Sequence, residues 1–358
     1  MTITDAEREA KEVVLGVDTH LDVHVAVALD RLGRGLGQLS VPTTAKGYES
    51  LVRWAEGLGT VRCAGVEGTS SYGAGIARHL KTAAIPVTEV ERPKRRYLHH
   101  TSKSDLQDAE SAARAVLAGE SVGVPKSADG RVEMIRALRT ARRSAVKART
   151  QAANQLQCLR VTAPDGLRHR LRGLSTKELV AVAARFRLKD DPGDVLEATR
   201  FALRSVARRY EVLCEEIAQL EVQLDRLVAE TAPKLVSLPG IGTDHAATLL
   251  TIVGDNPERL KSEASFASLC GVSPVQASSG KVVRHRLNRG GNREANRALY
   301  MICLVRMGRD PRTQEYVGRR TQEGKSKREI VRCLKRYIAR EVYRVLVSTA
   351  TAPSPMES

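Results

Sequence analysis

Four acidic side chains have the types and positions that a metal-dependent phosphodiester site needs. Asp18 follows an apolar run in the motif GVDTH, and Glu67 follows another in GVEGTSSYG. Asp105 and Asp108 lie three residues apart in SKSDLQDAE, a spacing that puts both on one face of a helix. Converging carboxylates repel one another unless cations lie between them, and Mg²⁺ (or Mn²⁺) prefers oxygen ligands. We therefore predict that these four catalytic residues bind two metal ions.

A loop near residue 280 offers a second set of reactive groups. Ser279, in SSGK, precedes a glycine, and a pair of this kind most often forms only a turn. Guanidinium groups bind phosphate oxygens through paired hydrogen bonds, so the cations beside this serine are predicted to contact nucleic acid. They are Lys281, Arg284, Arg286, Arg289 and Arg293. From spacing alone, the turn and the nucleophilic serine both stay open.

The motif LPGIG, Leu238–Gly242, precedes an apolar stretch that is predicted to be helical. Gly240 and Gly242 permit a tight turn whose amide groups can face a DNA phosphate, as in a helix-hairpin-helix motif. An ordinary connection between two helices explains the same residues, so both interpretations are kept.

The elements around the four acids predict one mixed α/β sheet. The predicted strands are Val13–Val17, Val23–Leu29, Gln38–Val41, Val61–Val66 and Ile85–Val90, and the predicted helices are Gly47–Gly57, Ala74–Ala83 and Asp105–Leu117. Three successive strands followed by helix, strand, helix, strand and helix is the order of an RNase H-like sheet. Ser104 is the predicted cap of the last helix. In this arrangement Asp18 and Glu67 end two strands, and the aspartate pair begins a helix that packs nearby.

From Arg131 onward the pattern is helical. Helices are predicted over Arg131–Leu159, Thr243–Val253, Arg293–Met307, Arg312–Glu323 and Ser326–Leu346. A seam of apolar residues also recurs at steps of three and four, as in a coiled coil. Its members are Val206, Tyr210, Leu213, Ile217, Leu220, Leu224 and Leu227. The seam predicts either an antiparallel hairpin with the preceding helix or a contact between subunits.

The charge of the chain favours a polyanionic partner. The net charge is +17, and it is concentrated in two blocks. Lys281–Arg344 contains 19 basic and 6 acidic residues, and Arg131–Arg172 contains 11 basic and 2 acidic residues. Phosphate contacts dominate the affinity of such surfaces for nucleic acid. Aromatic residues are only 3% of the chain, so backbone binding is expected rather than base stacking.

These motifs together resemble those of the DEDD-type insertion-sequence transposases, which are bridge-RNA-guided recombinases. The resemblance covers nearly the whole chain, including GVDTH, GVEGTSSYG, KSDLQDAE, LPGIG, the coiled-coil stretch and the block FASLCGVSPVQASSGKVVRHRLNRGGNREANRALY. It implies that the four acids form a RuvC-like metal site. It also implies that Ser279, ahead of Gly-Lys, is the nucleophile, although the neighbouring Ser278 is a departure from the family pattern. The resemblance further implies an active site shared between subunits. It also implies a structured RNA that pairs with donor and target DNA.

The resemblance and the composition together predict the organisation of the chain. We expect an RNase H-like, RuvC-like catalytic domain (1–125), a helical coiled-coil region (126–232), a mostly helical transposase domain containing LPGIG and Ser279 (233–348), and a disordered tail (349–358). The expected reaction is DNA cleavage and rejoining through a covalent phosphoserine. Because recombination cuts four strands, we expect a dimer or tetramer.

Other functions fit part of the sequence. A Holliday-junction resolvase would use the same carboxylates with water as the nucleophile, and a non-catalytic nucleic-acid-binding protein would use only the basic blocks. An actin-like sugar kinase also begins with a strand-end aspartate, but the chain has no P-loop, so no nucleotide cofactor is expected. No apolar run is long enough to cross a membrane. Six widely spaced cysteines fit reduced thiols in the cytoplasm.

Overall fold

Two units make up the protein, and each draws on more than one segment of the chain. The computed structural model describes residues 12–90, 104–120, 122–189, 193–276, 278, 285–286, 288 and 290–350. The first unit contains the described residues up to Gly130, the segment Val253–Ser268 and the described residues from Leu346. The second contains Arg131–Ile252 and the described residues between Leu269 and Val345.

A six-stranded sheet forms the centre of the first unit. Its strands are β1 (Glu12–Thr19), β2 (Val23–Asp30), β3 (Gly35–Pro42), β4 (Thr60–Glu67), β5 (Val87–Val90) and β6 (Val122–Gly123). They lie in the order β3-β2-β1-β4-β5-β6. The first three strands are antiparallel, β4 and β5 run parallel to β1, and β6 is antiparallel to β5. This is the RNase H-like arrangement that the order of the elements predicted.

Three helices cover the two faces of this sheet. They are α1 (Ala45–Leu58), α2 (Ala74–Thr82) and α3 (Asp105–Ala118). Because side chains alternate along a strand, β1 serves two cores at once. Val13, Leu15 and Val17 pack into the core that includes residues of α1 and α2. Val14 packs into the other core, which contains Ala109 of α3.

The second unit is helical, as predicted, apart from a two-stranded ladder. Helices of the remaining chain are α4 (Arg131–Thr162), α5 (Asp165–Leu171), α6 (Thr176–Ala184), α7 (Val195–Thr231), α8 (Pro233–Val236), α9 (Thr243–Val253), α10 (Glu263–Leu269), α11 (Arg293–Arg309), α12 (Pro311–Gln322) and α13 (Lys327–Ala350). The ladder pairs β7 (Val275–Gln276) with β8 (His285–Arg286). The sequence pattern did not predict the helices α5, α6, α8 and α10 or the short strands β6, β7 and β8.

The long helices α4 and α7 pack against each other as an antiparallel hairpin. Ion pairs join Arg131 to Glu230 at 3.4 Å and Arg142 to Glu221 at 2.6 Å. Residue numbers therefore increase along α4 in the direction in which they decrease along α7. In the seam on α7, Ile217, Leu224 and Leu227 are buried within the single chain, and the other members are half-buried. The hairpin, one of the two interpretations of the seam, is therefore present in the chain itself.

Among the described residues, no helix is both long enough and apolar enough to span a lipid bilayer. The helix α13 extends to Ala350, which is four residues beyond the predicted end. Residues 351–358, most of the predicted tail, lie outside the described residues.

Candidate metal centre

Asp18 and Asp105 lie together at one end of β1. The Nε2 atom of His20 is 3.0 Å from an Asp18 carboxylate oxygen and 3.4 Å from an Asp105 oxygen. One ligand atom from each of the three residues lies within 4.8 Å of the others. Asp18 is buried, whereas the side chains of His20 and Asp105 are about half exposed. The cluster is thus anchored in the sheet and open to solvent on one side.

The alternation of β1 explains why Asp18 meets α3 and not the opposite core. Gly16 and Asp18 share the strand face of Val14, which packs with α3. A Cβ atom on Gly16 would lie 1.9 Å from the carbonyl oxygen of Ala109. Only a glycine therefore lets the helix backbone come this close to the strand. This close approach brings the first turn of α3, with Asp105, to the end of β1.

The helix α3 begins as the sequence predicted. The side chain of Ser104 accepts a hydrogen bond from the amide of Gln107 and caps the helix. Asp105 and Asp108 both fall in its first turn, where negative charge is favoured by the helix dipole. Asp108 is half-buried and lies outside the close group of ligand atoms.

Glu67 ends the strand that neighbours β1. The parallel pairing runs through Val17 and Val66, so Asp18 and Glu67 are the next residues of two adjacent strands. The hydroxyl of Thr19 donates a hydrogen bond of 3.0 Å to the Glu67 carbonyl oxygen and ties the strand ends together. The Glu67 side chain is buried, and it too lies outside the close group. The structure therefore brings Asp18 and Asp105 together, with Glu67 on the adjacent strand and Asp108 in the same helix turn as Asp105.

The donor set of this cluster suits a divalent cation. Two carboxylates and an imidazole have mutually close ligand atoms, and one carboxylate is buried next to a strand end. Such a pair of like charges favours a bound cation, and carboxylate oxygens are preferred ligands of Mg²⁺ and Mn²⁺. The pattern of acidic residues does not select His20, which lies two positions after Asp18. Its place in GVDTH is the signal that could have revealed it.

A second histidine packs behind the cluster. His24, on β2, is fully buried and stacks on Tyr48 with ring centroids 5.7 Å apart and an interplanar angle of 4°. Burial lowers the pKa of His24, and the nearby His20 acts in the same direction, while the Val23 backbone and the Asp18 charge oppose them. His24 is therefore a neutral, structural part of the wall behind Asp18.

The LPGIG turn connects α8 and α9 and is held by α11. Gly240 has φ +73°, and a Cβ atom there would lie 3.3 Å from the Ile302 carbonyl oxygen. The buried guanidinium of Arg306 donates a 2.7 Å hydrogen bond to the Pro239 carbonyl oxygen. Gly240 is thus packed on a helix, whereas the space beside Gly242 is open. A phosphate contact at either glycine stays a prediction.

The predicted serine loop is only partly described. Ser279, Lys281, Arg284 and Arg289 lie outside the described residues. Arg286 is exposed on β8, and Arg293 begins α11. The nucleophilic and phosphate-binding roles of these residues stay predictions.

The fold and the acidic cluster define an RNase H-like domain with carboxylates at one end of the central strand β1. Comparison with known families agrees. Residues 15–163 match the model of the DEDD transposase of IS110, described as "Transposase", and residues 232–318 match "Transposase IS116/IS110/IS902 family". With both models matched, the chain belongs to the DEDD-type insertion-sequence transposases. A DEDD domain also indicates use of a divalent metal.

Individual relatives match stretches of different length. The transposase for insertion sequence element IS1328 of Yersinia enterocolitica is 27% identical over 238 residues, which are 65% of this chain and 68% of the relative. An uncharacterized 43.6 kDa protein of insertion element IS110 from Streptomyces coelicolor is 34% identical over 34% of this chain. The pilin gene-inverting protein of Moraxella lacunata is 31% identical over 37% of this chain. The chain spans 31% of the Streptomyces protein and 44% of the Moraxella protein.

Proposed function

We propose that this protein is a recombinase that moves or inverts a DNA segment with the help of divalent metal ions. The observation that carries the proposal is the juxtaposition of Asp18 and Asp105 at the end of β1 in a DEDD transposase domain. The names of the IS1328 transposase and the pilin gene-inverting protein support movement and inversion as reactions of this kind.

The carboxylates of the cluster would bind the metal through oxygen atoms, with Asp18 as the buried anchor. Two further acids complete the proposed ligand set. Glu67 lies at the end of β4, next to β1, and Asp108 lies in the first turn of α3 with Asp105. Bound Mg²⁺ or Mn²⁺, as two ions, would polarise the scissile phosphate and favour ionisation of the attacking hydroxyl. Carboxylates hold this charge in place, and the Nε2 atom of His20 is at hydrogen-bond distance from Asp18 and 3.4 Å from Asp105.

Ser279 is the proposed nucleophile. Its Oγ atom would form a bond to phosphorus while the bond from phosphorus to a deoxyribose oxygen breaks. The serine proton leaves to solvent, and the released deoxyribose oxygen takes up a proton. The phosphoserine ester keeps the energy of the broken bond, so the reverse attack by a new strand end rejoins DNA without ATP. The cations of the serine loop, Lys281, Arg284, Arg286, Arg289 and Arg293, would bind the phosphate.

Donor and target DNA are the proposed substrates, and a structured RNA is the proposed source of sequence specificity. The low aromatic content and the concentration of positive charge support binding of nucleic-acid backbones rather than bases in general. A dimer or tetramer is proposed because four strands must be cut in one reaction. The division into domains 1–125, 126–232 and 233–348 likewise stays a proposal.

A covalent trapping experiment tests this function. Protein would react with labelled donor DNA, its bridge RNA and Mg²⁺, followed by denaturation. We expect a protein–DNA adduct that is lost in Ser279→Ala, kept in Ser278→Ala and lost in Asp18→Ala. Asp18→Ala should fold with unchanged or higher stability, because it removes one of several repelling carboxylates. Cleavage without any adduct would instead favour the resolvase mechanism with water as the nucleophile.

A further inference from the structure

The second unit contains a cavity of about 700 Å³ that shares only Arg286 with the proposed phosphate-binding residues. Its walls are the segment Gly271–Pro274, the side chains of Arg286 and Asn288, the end of α12 and the first half of α13. This volume falls within the range of sites that enclose a small organic ligand. We refer to it as the basic cavity.

Positive charge dominates the lining of the basic cavity. Seven of its lining residues are cationic, namely Arg286, Arg320, Lys325, Arg332, Lys335, Arg336 and Arg340. Glu329, the one acidic residue in the described part of this lining, already accepts hydrogen bonds of 2.9 and 2.7 Å from Ser326. Burial lowers the pKa of the Lys335 ammonium, and the neighbouring Arg332 adds to this effect, while Cys303 opposes it. Cations crowded in this way favour an anionic ligand.

An aromatic ring is also part of this lining. The side chain of Tyr337 is 50% exposed, although the ring carries a large apolar area. Its position is fixed by an edge contact with Tyr316, at 5.8 Å between centroids, and by the guanidinium of Arg340 at 5.9 Å. A fixed, open ring beside guanidinium groups is the combination with which proteins bind single strands: bases stack on the ring, and phosphates pair with the cations.

We propose that the basic cavity binds one nucleotide of a single-stranded nucleic acid, with the phosphate on its arginines and the base stacked on Tyr337. A base within a duplex is stacked on its neighbours and paired, so it must leave the helix before it can occupy such a cavity. Unpaired segments arise in recombination wherever strands separate, either in DNA or in an RNA that pairs with it. The inference rests on the proposed nucleic-acid function, but it concerns a binding site and not the cleavage reaction.

Binding measurements on the full chain provide the first test. The probes are a labelled DNA single strand of about twelve nucleotides, its RNA counterpart and the DNA duplex of the same sequence. We expect Tyr337→Ala to weaken single-strand binding by about fivefold to a hundredfold, the range for loss of one stacked base. Duplex binding should change by less than about twofold, and Tyr337→Phe, which keeps the ring, should bind like the unchanged protein. Tyr300→Ala, at an exposed tyrosine of α11 that does not line the cavity, is the matched control.

Photochemical crosslinking of the unchanged protein keeps the proposal testable if Tyr337→Ala does not fold. Single strands carrying 5-iodouracil, as deoxyribo or ribo oligonucleotides, would be irradiated in complex with the protein. We expect a crosslinked peptide that contains Tyr337, and the more efficient of the two strands identifies DNA or RNA as the ligand. Adducts confined to other peptides would overturn the proposal, as would equal losses of single-strand and duplex binding in Tyr337→Ala. Because no outcome depends on strand cleavage, a failure here is distinguishable from a failure of the recombinase proposal.

Discussion

His20 shows how a single side chain extends a site beyond the acids that a sequence pattern selects. It lies at hydrogen-bond distance from Asp18 and 3.4 Å from Asp105. The position of Asp18 could be predicted, because an aspartate at the end of an apolar strand must lie where that strand leaves the sheet. The contact with His20 could not, since it depends on the path of the turn after β1 and on the close approach of α3.

Asp105 offers a test of metal binding with a control on the same helix. Mg²⁺ at about one hundred times its dissociation constant should stabilise the protein by about 2.7 kcal/mol, because it binds only the folded state. Asp105→Asn should lose most of this stabilisation, which is measured as the rise in melting temperature on adding Mg²⁺. Glu110→Gln, at a carboxylate of α3 that pairs with Arg114, should retain it. Equal Mg²⁺ responses in the two variants would contradict the assignment.

His24 should make stability depend on pH. Its pKa in the folded protein is lowered by burial, so the unfolded chain binds the proton first as the pH falls through about 6.5. The free energy of unfolding should therefore be highest above this pH and decrease below it, until the folded pKa is passed. His24→Phe, which can keep the stack on Tyr48, should show a smaller fall in melting temperature between pH 7.5 and 5.5. His169→Asn, at an exposed histidine, should behave like the unchanged protein.

At the scale of elements, sequence periodicity predicted the long helices and strands and missed the short ones. The helix Thr243–Val253 was predicted with the bounds that the structure has, and the first four strands overlap their predicted ranges. The strand β6 has two residues, too few for alternation to be visible. Helices α5 and α6 have seven and nine residues, so each presents only about two turns of pattern.

The close packing of α3 on β1 gives the sharpest element-scale prediction. Gly16→Ala would place a Cβ atom 1.9 Å from the Ala109 carbonyl oxygen, so the helix must move away from the strand. We expect a loss of about 1–3 kcal/mol in the free energy of unfolding and loss of the Mg²⁺ response. Gly57→Ala is the control, because no atom lies within 4 Å of its added Cβ. It should be neutral or slightly stabilising within the helix α1. A Gly16→Ala protein with normal stability and Mg²⁺ response would refute this explanation of the site.

The hairpin of α4 and α7 allows a test of whether its apolar seam stabilises the single chain or a contact between subunits. Leu224→Ala removes a side chain that is buried in the single chain, so it should cost about 2–5 kcal/mol of stability. This loss should be the same at every protein concentration, whereas a loss that grows on dilution would place the residue between subunits. Val222→Ala, at a side chain that is 65% exposed, should have little effect. Light scattering, alone and with nucleic acid, then measures the oligomer independently of this seam.

At the scale of the whole molecule, the two basic blocks differ in a way that counting charges does not reveal. Most arginines of the first block form ion pairs inside the second unit, often with acids far away in sequence. These pairs are Arg131–Glu230, Arg136–Glu133, Arg139–Glu294, Arg142–Glu221, Arg142–Asp244, Arg143–Glu294 and Arg168–Asp165. Their charge is therefore partly neutralised before any ligand binds. The sequence predicted the excess of charge but not these long-range partners.

The salt dependence of nucleic-acid binding should separate the blocks. Each phosphate contact contributes about 0.9 to the slope of log affinity against log salt for duplex DNA. Arg332→Gln, in the second block, should weaken binding and reduce this slope by about one. Arg142→Gln should leave the slope unchanged but destabilise the protein by up to about 1 kcal/mol, because it removes two ion pairs whose carboxylates are half exposed. An affinity that is independent of salt in the unchanged protein would rule out phosphate binding by either block.

The segment Val253–Ser268 belongs to the first unit although it lies far along the sequence. The first unit can therefore be completed only after this segment has been synthesised. The segment that follows β6 is held by Asn256, which accepts from the Ser127 amide at 3.0 Å and donates to the Pro125 carbonyl oxygen at 2.9 Å. Arg259 adds a hydrogen bond to the Val124 carbonyl oxygen. Translation at about 5–20 residues per second separates these partners by roughly ten seconds. All four predicted metal ligands thus leave the ribosome well before the residues that fasten the edge of their own sheet, so a chain cut short near residue 250 would carry the acids on an unfinished unit.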